Sequence, residues 1–151
     1  MRLDRDWIAA HIPHQGRMCL LDSVRSWDPV RIECASRTHL SGGHPLRAHG
    51  RLGSACLIEY AAQAMAVHAA LRFPAAVRSG DAPAGGRGML ASARAVELWV
   101  ADLDAITDEL TIRAERLHAD GRVALYAFEI SAGERRLAQG RAAVLLEAAS
   151  P

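Results

Sequence analysis

Glu59 and Gln63 stand four residues apart in a run of otherwise mostly apolar side chains, Ser54 to Leu71, which contains neither Gly nor Pro. Four residues make about one helical turn, so the two polar groups share a face. A carboxylate on an apolar helix is costly to bury unless it is partnered or protonated. It marks either a solvent-facing stripe or a general acid whose pKa is raised by apolar surroundings, as proton transfer near neutral pH requires. The seven histidines offer candidate bases. His11 and His14 flank Pro13, His39, His44 and His49 lie in the stretch entering the helix, His68 is inside it, and His118 ends a strand. Ser54, just after Gly53, suits an N-cap. The amides of Gly50, Gly53 and Ser54 fall where a helix's first turn leaves N–H groups open to a carbonyl oxygen that gains negative charge.

Metal chemistry is not indicated. The loop histidines come without an H-E-x-x-H or comparable helical ligand pair, and the three cysteines (Cys19, Cys34, Cys56) are widely spaced with no C-x-x-C. Neither a disulfide framework nor a zinc knuckle follows, and reduced thiols are the simplest expectation.

These groups need elements to hold them. Residues 4–10 have a short helical pattern with Asp4 as N-cap, stopped before Pro13. Met18 to Trp27 reads as a strand, Asp28-Pro29 as a turn, and Val30 to Thr38 as a strand pairing back on the first. Leu40 to Pro45 is a loop by composition. The helix over Ser54–Leu71 is apolar nearly all round, which marks it as buried, and its many alanines would let a sheet wrap closely. Residues 74–88, rich in Gly, Pro and Ala, read as a loop. Beyond them the texture is β: Met89–Val100, Glu109–His118, Arg122–Ser131 and Arg135–Leu146, with Asp120-Gly121 as a tight-hairpin signal. One long helix among strands predicts a single α+β domain over residues 1–151, its antiparallel sheet wrapped around the central helix.

Composition removes several function classes. Eighteen basic residues, all Arg, against seventeen acidic ones leave a formal net charge of +1, which is not a nucleic-acid binder's profile. Aromatic residues make up only 5%, too few for stacking on bases to lead. No run approaches the roughly 18 apolar residues of a membrane span, and acids stand where a signal peptide would be apolar. The expectation is a cytoplasmic protein without membrane or nucleic-acid partners.

The stretch from His11 to Val24 (HIPHQGRMCLLDSV) resembles the opening of the hotdog-fold 3-hydroxyacyl-ACP dehydratases, with their Leu-Pro-His segment and Leu-(Leu/Val)-Asp strand. Gly53 to Ala64 (GSACLIEYAAQA) resembles that family's central helix, with an acidic residue and a Gln four later, and Gly86 to Ser92 also fits. The His44-Pro45-Leu46-Arg47 and Ile58-to-Gln63 stretches are most similar to the dehydratase-like branch of aryl-polyene and xanthomonadin-type pigment pathways.

The resemblance implies a hotdog fold and a dimer whose sheets join. It implies a site at the interface, where a His of one subunit removes the C2 proton and a carboxylate of the other protonates the leaving C3 hydroxyl. Glu59 maps onto the acid and Gln63 onto its neighbour, and Gly53-Ser54 stand for the Pro-Gly pair that holds the thioester oxygen. The family's His-Phe-Pro-Gly-type segment is Gly43-His44-Pro45-Leu46-Arg47 here, one residue further from the acid. That leaves His44, His49 or no catalytic His as readings. The implied activity is dehydration of 3-hydroxyacyl-ACP in fatty-acid or aryl-polyene-type biosynthesis, with no cofactor beyond the carrier's phosphopantetheine arm. Thioester hydrolysis, or a non-catalytic subunit beside an active dehydratase, are the alternatives. The implied partners are an acyl carrier protein and a second hotdog chain, identical or not, with larger oligomers open. Arg72, Arg78, Arg87 and Arg94 are candidates to meet the carrier's phosphodiester.

Overall fold

A computed structural model describes residues 3–14, 16–72 and 88–146. The chain opens with helix α1 (Arg5–His11), capped by the Asp4 carboxylate, which accepts from the Trp7 amide at 3.0 Å. Ile12 is extended, as the residue before a proline must be. Strands β1 (Ser23–Trp27) and β2 (Arg31–Ser36) follow, then helix α2 (Cys56–Arg72). Strands β3 (Gly88–Leu98), β4 (Leu110–Asp120), β5 (Val123–Ala132) and β6 (Arg135–Leu146) complete the domain.

All six strands form one sheet in the order β1-β2-β4-β5-β6-β3, and every pairing is antiparallel. On β4, Leu110, Ile112 and Ala114 are buried while Thr111, Arg113 and Glu115 face outward, the alternation read from the sequence. The β4–β5 hairpin closes where Asp120 accepts from the Arg122 and Val123 amides. Helix α2 lies in the curve of the sheet. Its alanines Ala61, Ala64, Ala66, Ala69 and Ala70 are all buried, so strands approach its backbone closely. Its C-terminal half is tied down by His68, whose Nε2 donates to the Asp28 carbonyl at 2.8 Å while Nδ1 pairs with the Tyr126 hydroxyl at 2.6 Å.

Two expectations differ from the structure. Residues 18–22 were expected inside the first strand, but a 3-10 turn occupies Gly16–Met18 and β1 begins only at Ser23. The cause is that side chains take this segment's backbone groups. Gln63 bonds the Leu20 amide and the Met18 carbonyl, and the Ser36 and Thr38 hydroxyls donate to the Leu20 carbonyl. Helix α2 begins at Cys56, because Cys56, Leu57 and Ile58 donate to Gly53, Ser54 and Ala55 in a tight 3-10 entry. The loop expected over 74–88 lies, but for Gly88, outside the described residues.

Strand β3 ends the sheet on one side over eleven residues. Leu90, Leu98 and Trp99 on and beside it are exposed, an unpaired edge with apolar side chains.

Candidate active site

The first turn of α2 carries Glu59, half-buried, on the wall of a cleft of about 780 Å³. Leu46, Ala48, Ala55, Ile58 and Ala101 make most of that lining apolar, and Gly53, His49 and Arg51 stand at its edges. The Glu59 Oε1 atom receives two donors. His14 Nε2 is 2.9 Å away and Gln63 Nε2 is 3.2 Å away. Gln63 is fully buried and uses both ends of its amide, since Nε2 also donates to the Met18 carbonyl at 2.7 Å and Oε1 accepts from the Leu20 amide at 2.8 Å. It therefore clamps the segment that carries His14 against the helix turn that carries Glu59.

The expected electrostatics are reversed. Burial does push the Glu59 carboxyl up, but the hydrogen bond from His14, helped by that from Gln63, outweighs it. The carboxyl is held below its ordinary range and is ionised at neutral pH.

His44 is buried, and its ring is committed inside the chain. The Leu46 amide donates to Nδ1 at 3.1 Å, so the ring proton is on Nε2, which meets the Tyr60 hydroxyl at 3.1 Å. Tyr60 continues to Thr38 at 2.6 Å, and burial raises its pKa to about 12. Burial, with Arg47 and His39 nearby, holds His44 below the usual histidine range. The one ring nitrogen that could take a proton already accepts one hydrogen bond, and within the chain the ring faces Tyr60.

His49 does reach the cleft, but on a two-residue turn between Ala48 and Arg51 in which His49 (φ 53°) and Gly50 (φ 75°) are both left-handed. The Ser54 amide is not open to a substrate, because it donates to the Ala101 carbonyl at 3.0 Å. That corrects the oxyanion role expected of Ser54. The Gly53 amide has no hydrogen-bond partner among the described residues, and a side chain at Gly53 would meet open space. The Cys56 thiol lines the cleft but burial raises its pKa to about 12, so it offers no thiolate.

His14 is the group that the site assignment from sequence passed over. Its signals were Pro13, which turns the chain out of α1, and its place in the motif-like opening segment.

Of the arginines, Arg78 and Arg87 lie outside the described residues. Arg72 donates to the Pro29 carbonyl, and Arg94 sits on β3 opposite Arg141. A second cleft of about 670 Å³ crosses the outer sheet face, lined by Glu33, Arg113, Glu115 and Arg31 among others. Its charges pair with one another, Arg113 with Glu33 at 2.8 Å and Arg31 with Glu115 at 3.5 Å, and Glu59 is not part of it. Among the described residues, no three His, Cys, Asp or Glu side chains gather as a metal site would need, and no helix is long and apolar enough to cross a membrane.

The architecture is shared with solved structures. A chain of the dehydratase heterocomplex ApeI:P from Xenorhabdus doucetiae superposes with a TM-score of 0.76 at 24% identity, over 92% of this chain and 90% of that one. Zebrafish thioesterase superfamily member 2 gives 0.63 at 16% identity, over 94% of each chain. A hypothetical thioesterase of Streptococcus pneumoniae, solved with coenzyme A, gives 0.54 at 12% identity, over 85% of this chain and 88% of that one. These likenesses establish the hotdog fold. No curated protein matches the sequence. The family model of the ApeP dehydratases matches residues 7–149, nearly everything described above, and the chain belongs to this ApeP-like family.

Proposed function

We propose that the protein removes water from 3-hydroxyacyl groups borne on an acyl carrier protein, giving the 2-enoyl thioester, and that it works as one subunit of a hotdog pair. The observation that carries this reading is the ionised, doubly hydrogen-bonded Glu59 on the wall of an apolar cleft. Membership in a dehydratase family supports the reaction class. An acyl chain suits the lining of Leu46, Ala55 and Ile58, and the Gly53 amide is the donor for a thioester carbonyl whose charge grows as C2 loses its proton. The proton-transfer groups are Glu59 and a histidine. The second subunit follows the likeness to ApeI:P, a dehydratase heterocomplex, and the aryl-polyene setting follows the resemblance of the His44-to-Arg47 and Ile58-to-Gln63 stretches. The exposed edge of β3 is where the two sheets would join.

The test is to incubate the protein, alone and with a second hotdog subunit from the same source, with 3-hydroxyacyl carrier protein. Intact-protein mass spectrometry then follows the loss of water. Glu59→Gln keeps the shape and removes the titratable group, so turnover is expected to fall about 100-fold or more, the scale for a positioned acid or base. Release of free acid would instead indicate hydrolysis, and near wild-type turnover in Glu59→Gln would overturn the assignment.

A further inference from the structure

We propose that strand β3 carries a charge code that disfavours a second copy of this chain and selects a different hotdog chain with carboxylates on its own edge strand. This step rests on the reading above that the two sheets join along β3, and it names the chemistry of the partner. Three observations support it.

First, Arg94 on β3 and Arg141 on β6 stand directly opposite each other, a position in which like charges repel. Both side chains are exposed. Ala142 and Val144, which alternate with Arg141 along β6, are buried, so the two arginines share the outer face of the sheet.

Second, neither guanidinium has an ion pair or hydrogen bond among the described residues. On the other side of β6, Arg141 faces Ala127. The carboxylates at the next outward positions are engaged. Glu97 accepts from Gln139 at 3.1 Å, and Glu129 meets Arg136 at 3.8 Å and Arg113 at 4.0 Å. Elsewhere on the same face each arginine has its acid, Arg31 with Glu115 and Arg113 with Glu33.

Third, Arg94 lies on the strand that ends the sheet, between the exposed Leu90 and Leu98. The open backbone of such an edge is satisfied by another strand, which brings its own side chains alongside Arg94. Self-pairing of β3 about its middle residue, Ala93, would set the two Arg94 Cα atoms about 8 Å apart and gather four guanidinium groups in one patch. An edge strand with carboxylates at the matching positions turns the same patch into ion pairs. A carrier protein's anionic arm would meet the arginines but leave the backbone edge open.

The test uses full-length chains, each checked for its fold by circular dichroism. Wild type is mixed with an equal amount of the double variant Arg94→Glu, Arg141→Glu, a copy whose edge has the reverse charge. Native mass spectrometry from ammonium acetate counts the pairs. At about 0.01 M salt, where charges act over about 30 Å, mixed pairs should exceed about four-fifths of the total. At about 1 M salt they should fall to the statistical half. At low salt, wild type should self-associate about fivefold more weakly than Arg94→Glu, with the neutral Arg94→Gln between them. Pairing with the second hotdog subunit from the same source should weaken about fivefold in Arg94→Glu. A statistical mixture at both salts, or unchanged pairing with the second subunit, overturns the inference. It also falls if Arg94→Gln weakens binding of acyl carrier protein and leaves pairing unchanged, since the arginines then serve the carrier. Leu98→Ser keeps the two readings apart. If it leaves pairing intact, the sheets join elsewhere and both readings fall. If it weakens pairing while the mixture stays statistical, β3 is the junction and the charge code alone falls.

Discussion

Replacing Gln63 by Leu tests the clamp that holds the site together. The side chain is fully buried, so the change removes three hydrogen bonds without opening a path for water. The Leu20 amide, itself buried, is left unpaired at a cost of about 1–3 kcal/mol, and the partly buried Met18 carbonyl adds roughly 1 kcal/mol. The apolar contacts of leucine return on the order of 1 kcal/mol, for a net loss of about 1–3 kcal/mol. In a chain of this length that corresponds to a melting temperature lower by roughly 2–12 °C. The same change takes one donor from Glu59, so its carboxyl should titrate at higher pH than in wild type. The assay is thermal denaturation followed by near-ultraviolet circular dichroism at fixed protein concentration, because association would shift the midpoint. A melting temperature within about 1 °C of wild type would refute the reasoning, since it would mean that these bonds contribute nothing in solution.

Stability should also depend on pH in a specific direction. His39, His44 and His68 all titrate below the ordinary 6.5 because burial disfavours their charged forms. The unfolded chain therefore takes up protons first, and stability present above pH 6.5 is lost as pH falls through the lower folded values. Glu59 adds a further loss below about pH 4.5, again because its folded carboxyl titrates lower. Urea denaturation across that range should show falling stability toward acid, and a flat profile would contradict the buried, neutral histidines. At the sheet edge, Leu98→Asp should weaken association through β3 while leaving the subunit folded. Sedimentation would detect this, and an unchanged assembly would place the interface elsewhere.

Much of the fold was legible because its signals are local. The apolar, glycine-free run of α2, the period-two pattern of β4 and the Asp120-Gly121 turn each follow from neighbours in sequence. The position of β3 was not legible, since nothing local says that it pairs with β6 at the far side of the sheet. Residues 18–22 read as strand because their side chains are apolar, yet Gln63, Ser36 and Thr38 take the backbone bonds that a ladder would have used. At the site, Glu59 and Gln63 stood out by polarity on an apolar helix. The His14 contact did not, because it joins segments that lie on either side of β1 and β2. The carboxyl's expected upward shift failed for the same reason. Burial was foreseeable from the helix, whereas the imidazole that outweighs it belongs to another part of the chain.

The alanine-lined interior of α2 also sets where this protein can change over evolutionary or laboratory selection. Any larger side chain at Ala61, Ala64 or Ala70 would overpack against the strands at about 1–3 kcal/mol, so these positions tolerate little drift. Leu46 and Ala48 border open space instead of packed sheet, and can vary in size without that penalty. Adaptation to a longer or bulkier ligand should therefore accumulate in the short turns at the mouth of the cleft. The helix that supplies Glu59 would meanwhile keep its sequence nearly fixed.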